Sequence, residues 1–128
     1  MNGYLFDSNI IIDLLANETT VRNFILKAHE ENKPIYFSTV SVCEIYSGSD
    51  NGEIEILDKL FTADKCIEVS LAISREAGIL RRSILRKKQK IKTPDAIIAA
   101  TAKCHNLCLV TRDKDFRMLK DYFAVLIQ

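Results

Sequence analysis

Short apolar runs alternate with amphipathic stretches from one end of the chain to the other. The runs at Tyr4 to Phe6, Ile35 to Phe37, Cys66 to Val69, Cys108 to Val110 and Ala124 to Ile127 read as strands. Between them, Val21, Phe24, Ile25 and Ala28 recur at the i, i+3, i+4, i+7 spacing of one helix face, and Ile54, Leu57, Leu60 and Phe61 nearly repeat it. A longer helix is predicted from Leu71 to Lys88, with Ile73, Ala77, Leu80 and Ile84 on one stripe and Arg75, Arg82 and Arg86 around the other side. This alternation predicts an α/β fold, a central and mainly parallel twisted sheet of four or five strands flanked by helices, rather than a bundle or a sandwich. The only clear break, Ser47-Gly48-Ser49-Asp50-Asn51-Gly52, reads as a loop between helices.

Single carboxylates sit where these elements meet. Asp7 ends the first strand and precedes Ser8-Asn9-Ile10-Ile11-Ile12, so it is placed at the carboxyl edge of the sheet near a helix N-terminus, where an ordinary N-cap would also explain it. Glu44 interrupts the run from Val40 to Tyr46 on a predicted helix, grouped by helical spacing with Ser41, Ser47 and Gly48; Cys43, Ile45 and Tyr46 are expected to turn toward packing. Thr93-Pro94-Asp95 reads as N-cap, N1 and N2 of a helix through Ala102, a place where the helix dipole favours an acid on its own account. After the fourth strand, Thr111-Arg112-Asp113-Lys114-Asp115-Phe116 reads as a turn with two acids. A parallel α/β fold gathers such positions on one edge of its sheet. Carboxylates gathered there must be protonated, spread apart or bound to a hard divalent cation, and at neutral pH the cation is the expected answer.

The 128 residues suffice for one sizeable core, so a single domain over 1–128 is expected. No apolar run approaches the ~20 residues of a membrane span, and no basic region with an apolar core precedes Asp7; the expectation is a cytoplasmic protein. Cys43, Cys66, Cys104 and Cys108 form no Cys-x-x-Cys pair and read as reduced, packed thiols rather than a zinc site, with His105 at an exposed helix end. A net charge of +1 conceals an uneven distribution. Seven acids face two bases between Glu44 and Glu68, whereas Arg81, Arg82, Arg86, Lys87, Lys88, Lys90 and Lys92 have no acid among them. That basic segment suits a polyanion such as RNA, although a charge run taken by itself reads first as a solvated helix face.

Four stretches in this order, Leu5-Phe6-Asp7-Ser8-Asn9, Ser38-Thr39-Val40 running to Glu44 with Gly48 beyond, Thr93-Pro94-Asp95-Ala96-Ile97-Ile98-Ala99-Ala100-Thr101-Ala102, and Leu109-Val110-Thr111-Arg112-Asp113-Lys114-Asp115-Phe116, together span essentially the whole chain. In them the chain resembles the PIN-domain ribonucleases, specifically the VapC-type toxins of toxin–antitoxin pairs. The resemblance implies a single PIN domain in which Asp7, Glu44, Asp95 and Asp113 match the family acids that bind Mg²⁺ or Mn²⁺, with Asp115 a fifth nearby. It implies hydrolysis of RNA phosphodiester bonds by a metal-activated water, leaving a 5′-phosphate and a 3′-hydroxyl. Ser8, Asn9 and Thr111 would position water or phosphate, and Arg82, Arg86, Lys88, Lys90 and Lys92 would contact the RNA backbone. The partners implied are RNA, a cognate antitoxin and a second copy of the chain in a homodimer, with no membrane.

Two other classes compete. A phosphoacceptor receiver domain would want paired acids at the first strand, and a haloacid-dehalogenase-like phosphatase a second acid two residues after the first; Ser8 and Asn9 stand there instead. A catalytically silent PIN scaffold serving as a binding module would keep the fold and lack metal-dependent cleavage.

Overall fold

The computed structural model describes residues 1–122 and 124–128. Strands β1 (Tyr4–Phe6), β2 (Ile35–Ser38), β3 (Cys66–Ile67), β4 (Cys108–Thr111) and β5 (Val125–Ile127) form one sheet in the order β3-β2-β1-β4-β5, with every neighbouring pair parallel. Helices α1 (Ser8–Leu15), α2 (Thr19–Glu30), α3 (Thr39–Ser47), α4 (Ile54–Leu60), α5 (Leu71–Arg86) and α6 (Thr93–Cys104) link the strands, and a 3-10 helix (Lys114–Leu119) comes after β4. Among the described residues no helix is long and apolar enough to cross a membrane.

The period of two along each strand divides the core between the two faces of the sheet. Leu5 and Leu109 pack with Leu80 and Ile84 of α5 and with Ile98, Ala99 and Ala102 of α6. Phe6, Phe37 and Val110 point the other way, onto Ile10 and Ile11 of α1, Val21 of α2, Ile45 of α3 and Leu57 of α4. Buried Ala96 and Ala100 let α6 lie close against Ile73 and Ala77 of α5.

Several expected boundaries shift: β2 runs on to Ser38, β4 runs on to Thr111 and β5 begins at Val125, and three further changes follow from identifiable hydrogen bonds. The third strand stops at Ile67 rather than Val69, because the Val69 N–H is donated to Thr39 Oγ1 (3.3 Å) and leaves the ladder. Helix α6 is capped by Lys92, one residue before the expected Thr93, since the Lys92 carbonyl already accepts the Ala96 N–H at 2.9 Å; Asp95 is therefore third in the helix. Helix α5 ends at Arg86 rather than Lys88. There the Lys88 N–H donates to Leu85 O and the Gln89 N–H to Ile84 O, with Lys88 at φ 60°, the paired bonds of a Schellman cap. Asn17, Asn32 and Asn106 close α1, α2 and α6 in the same left-handed conformation, one that Asn tolerates and Lys does not favour. The expected turn after β4 is also more ordered, being the 3-10 helix capped by Asp113.

The thiol reading needs correction in part: all four cysteines are free, but Cys43 and Cys104 are exposed, Cys66 is half-buried and only Cys108 is buried. Both exposed thiols lie on the outer sides of their helices, while the inner sides carry Ile45 and Ala102.

Gly3 enters β1 at φ 148°, where an added Cβ would run into the carbonyl oxygen of Pro34. Tyr4 N–H bonds that same oxygen at 2.9 Å, and Gly3 O accepts the Cys108 N–H at 2.9 Å, so this corner sets the register of the three central strands. Gly3→Ala is expected to cost about 1–3 kcal/mol through backbone strain and the displaced carbonyl. Gly78→Ala, at an open position inside α5 with nothing within 4 Å of the new Cβ, is expected to gain about 0.5–1 kcal/mol. Urea unfolding of the two variants beside wild type measures the contrast.

Candidate metal centre and basic groove

The chain leaves β1 toward β2 on one side, and β4 lies on the other, so the strand order reverses between β1 and β4. Crevices at the carboxyl ends of parallel strands open at such points. Phe6 pairs with Val110 in register, and the Asp7 N–H bonds Val110 O at 2.9 Å, which sets Asp7 beside Thr111. Glu44 comes from α3 after β2, Asp95 from the first turn of α6 before β4, and Asp113 from the segment just beyond β4. Four separate parts of the chain thus deliver one carboxylate each to one edge.

Asp7 is only 5% exposed, and each of its two oxygens accepts at least one hydrogen bond. Oδ1 accepts the Ser8 N–H at 2.8 Å, the N-cap bond of α1. Oδ2 accepts the Thr111 hydroxyl at 2.7 Å and the Asn9 amide at 3.4 Å. The fully buried Thr111 Oγ1 in turn accepts the Asp113 N–H at 3.0 Å, while the Asn9 carbonyl oxygen accepts the Arg112 N–H at 3.0 Å. Ser8 Oγ donates to Glu44 Oε1 at 2.9 Å, and Asp113 Oδ1 accepts the Asp115 N–H at 2.9 Å. Ser8, Asn9 and Thr111, expected to hold water or phosphate, spend their polar atoms on orienting the acids.

Electrostatics tie the carboxylates together. The Asp95 carboxyl is pushed up to about 6, first by burial and then by the negative charges of Asp7, Asp113 and Glu44, against a smaller opposing pull from Lys92. Asp7 is raised by burial, with the bonds from Thr111 and Ser8 drawing it down and the charges of Glu44 and Asp113 adding to the rise. Arg112, the nearest guanidinium in sequence, does not neutralise the cluster: its Nε lies 2.7 Å from Asp13 Oδ2.

Among the described residues no three carboxylates, thiols or imidazoles already close around a point as a finished metal cage. The donor set nevertheless fits a hard cation, because it consists of carboxylate oxygens in mutual repulsion without a compensating ion pair. Mg²⁺ keeps several waters and takes one or two carboxylates directly, so a dedicated cage is not what it requires. The helix that carries Glu44 departs from the sequence reading at two positions, since that reading groups Ser41 with Glu44 and expects Cys43 to pack. Ser41 is fully buried, its hydroxyl without a partner, and Cys43 is exposed, whereas Glu44 and Gly48 do border a cavity of about 380 Å³ between α1 and α3.

A larger cavity, of about 580 Å³, joins Asp95, Asp113 and Asp115 to Arg81, Lys90 and Lys92, with Leu85, Ile91, Phe116 and Met118 completing its lining. Of the basic residues singled out in the sequence, Lys90 and Lys92 face this groove; Arg82, Arg86 and Lys88 are exposed outside its lining. Arg81 was missed as a site residue. Its Nε donates to Ile91 O at 3.1 Å, fastening the loop that carries both lysines to α5. A half-buried arginine inside a stripe of solvated ones is visible only once α5 is docked.

This sheet order and edge of acids define a fold class, and a family model described as the PIN domain matches residues 4–121. The chain belongs to the PIN-domain family. It is 30% identical to Ribonuclease VapC10 of Mycobacterium tuberculosis over 125 residues, covering 94% of this chain and 93% of that protein. Among solved structures it is similar to a toxin–antitoxin complex from Klebsiella pneumoniae, at 30% identity, a TM-score of 0.74 and coverage of 97% and 96%. VapBC2 from Rickettsia felis, bound to a DNA fragment, shares the fold at a TM-score of 0.82 and 20% identity, with 98% of each chain covered. The strand order also sets aside the receiver domain, whose sheet runs 2-1-3-4-5.

The raised Asp95 carboxyl has a measurable consequence. An acid whose pKa is higher folded than unfolded holds its proton more tightly in the fold, so its contribution is complete below about 3.8 and is lost as pH rises through about 6. In chelator, Asp95→Asn is therefore expected to be more stable than wild type at pH 7, by about 1 kcal/mol after allowing for solvent screening of this half-exposed group. That advantage should fade toward pH 4. Urea unfolding across pH 4 to 7 with chelator present reads both the sign and the window.

Proposed function

We propose that this chain is a divalent-metal-dependent endoribonuclease, the VapC-type toxin of a toxin–antitoxin pair, built as one PIN domain over residues 1–128. The observation that carries the reading is Asp7, a buried carboxylate held by Thr111 and Ser8 at the crevice, while burial and then the charges of its neighbours raise Asp95. Family membership and the likeness to a ribonuclease over 94% of the chain support it.

Asp7, Glu44, Asp95 and Asp113 would hold Mg²⁺ or Mn²⁺, which when bound supplies a more acidic water and neutralises charge at the scissile phosphate. The chain's own share is orientation and charge. Thr111 fixes Asp7 and, through the Asp113 N–H, the start of the 3-10 helix. Ser8 holds the Glu44 carboxylate by its hydroxyl, and Asn9 ties Asp7 to the backbone of Arg112. Asp115 borders the groove beside Asp113, and Lys90, Lys92 and Arg81 line it with positive charge to meet the RNA backbone on either side of the cut. The same reading makes the partners an antitoxin and a second copy of the chain, working in the cytoplasm. The likeness to toxin–antitoxin complexes supports the first of these.

Asp7→Asn and Asp95→Asn are each expected to lower Mg²⁺-dependent cleavage of a mixed RNA substrate by about a hundredfold or more, beyond the usual loss for groups that merely support a ligand. Circular dichroism should remain that of wild type. Undiminished cleavage by both variants at saturating Mg²⁺ would refute the assignment, and a folded wild type without metal-dependent cleavage would favour the silent scaffold. Salt dependence separates the basic residues: Lys90→Gln with Lys92→Gln should flatten the slope of log affinity against log salt by about 1–2, and Arg82→Gln with Arg86→Gln by less.

A further inference from the structure

Helix α1 carries a single charged side chain, Asp13, in the last turn of the run Ser8-Asn9-Ile10-Ile11-Ile12-Asp13-Leu14-Leu15. A carboxylate there meets the negative end of the helix dipole, so the helix itself gives no reason for it. The reason lies beyond β4. Asp13, whose side chain is 20% exposed, holds Arg112 Nε at 2.7 Å from its Oδ2. Four residues earlier on the same helix face, the Asn9 carbonyl oxygen accepts the Arg112 N–H at 3.0 Å. One helix thus grips Arg112 twice, by its side chain and by its backbone. Only Arg112 and Asp113 connect the end of β4 at Thr111 to the start of the 3-10 helix at Lys114. Asp113 is itself tied at both ends of this link, its N–H donating to Thr111 Oγ1 at 3.0 Å and its Oδ1 accepting the Asp115 N–H at 2.9 Å.

We propose that Asp13 is a positioning residue for the acid edge: by holding Arg112 from α1, it fixes the two-residue link that presents Asp113. The inference rests on the reading of that edge as a cation site, and it adds a residue that touches neither the cation nor the RNA. Stability does not account for the pair, because Arg112 is 52% exposed and an ion pair so open to solvent adds little to folding. What the pair supplies is direction. Contacts that orient a ligand without reaching the metal govern how well the ligand serves it. Charge alone makes the opposite demand on Arg112, since removing a cation beside the acids strengthens their pull on a divalent ion. Loosening the link weakens that pull, so the sign of the effect separates positioning from charge.

The test measures Mn²⁺ binding by the full chain, read from the electron paramagnetic resonance signal of the free ion, for wild type, Asp13→Asn, Arg112→Gln and the double variant. Each single variant is expected to weaken Mn²⁺ binding about threefold to tenfold, at or below the low end of the losses seen when a direct partner of a ligand is removed, with a urea midpoint close to that of wild type. The double variant should bind no more weakly than the worse single one, because both changes remove the same contact. RNA cleavage should require correspondingly more Mg²⁺ and reach the wild-type rate once the ion saturates. Amide exchange in chelator gives a readout without metal: the Arg112 and Asp113 N–H groups should exchange faster in both single variants, while those of β1 exchange as in wild type. Tighter Mn²⁺ binding by Arg112→Gln would overturn the proposal in favour of a charge effect. Losses that add in the double variant would overturn it too, as would Asp13→Asn with wild-type Mn²⁺ binding and wild-type exchange. A wild type that binds no Mn²⁺ would overturn the cation reading instead; faster exchange at Asp113 would then still uphold the grip from α1, and unchanged exchange would end it.

Discussion

The structure turns on the 2.7 Å bond from the Thr111 hydroxyl to the Asp7 carboxylate. It crosses the point where the strand order reverses, joining the end of β1 to the end of β4. Both residues are buried, so the bond forms in a setting where an unmet polar group costs about 1–3 kcal/mol. Thr111 also accepts the Asp113 N–H, so one hydroxyl orients two acids from different segments. A fold that failed to bring β1 and β4 side by side would strand a charge in its core. The site and the sheet are thus stabilised by the same contact.

The groups that hold the acids matter as much as the acids themselves. Asp7 is satisfied by a hydroxyl, an amide and a backbone N–H, none of them charged, and the guanidinium next to Thr111 in sequence is spent on Asp13. Had Arg112 paired with Asp7, the negative potential would be cancelled from within and the pull on a cation lost. Neutral donors fix geometry while leaving the charge available. The Asp95 carboxyl is raised first by burial and then by that uncancelled negative charge.

The alternation of runs and the acids at their ends were readable because both obey local rules. A strand needs an apolar run, and a parallel sheet sets the residue after each strand on one shared edge. Tyr4–Phe6 emerged with its expected bounds, and Asp7 proved to be the helix cap and a member of the acid edge together. The features that escaped are those set by long-range contact. Gly3 is needed only because β2 brings Pro34 against it, and Ser41 is buried because its helix turns that face inward. Arg81 looked like its solvated neighbours until α5 docked and the loop to Ile91 folded back. The left-handed Lys88 was hidden for another reason: Asn at the three comparable caps announces the conformation, and Lys does not.

The same cap bears on how charge is distributed along the groove. By turning the chain at Lys88, it ends α5 and sends Lys90 and Lys92 back toward Asp95, whereas a continued helix would have carried them out along its axis. Opposite charges therefore share one cavity without pairing off: among the described residues no salt bridge joins Lys90, Lys92 or Arg81 to Asp95, Asp113 or Asp115. Kept apart in this way, the acids remain able to bind a cation and the bases to bind an anion. A phosphodiester needs both together, a counter-charge at the reacting phosphate and another at its neighbour, and the left-handed residue at Lys88 is the backbone feature that brings the two within one groove.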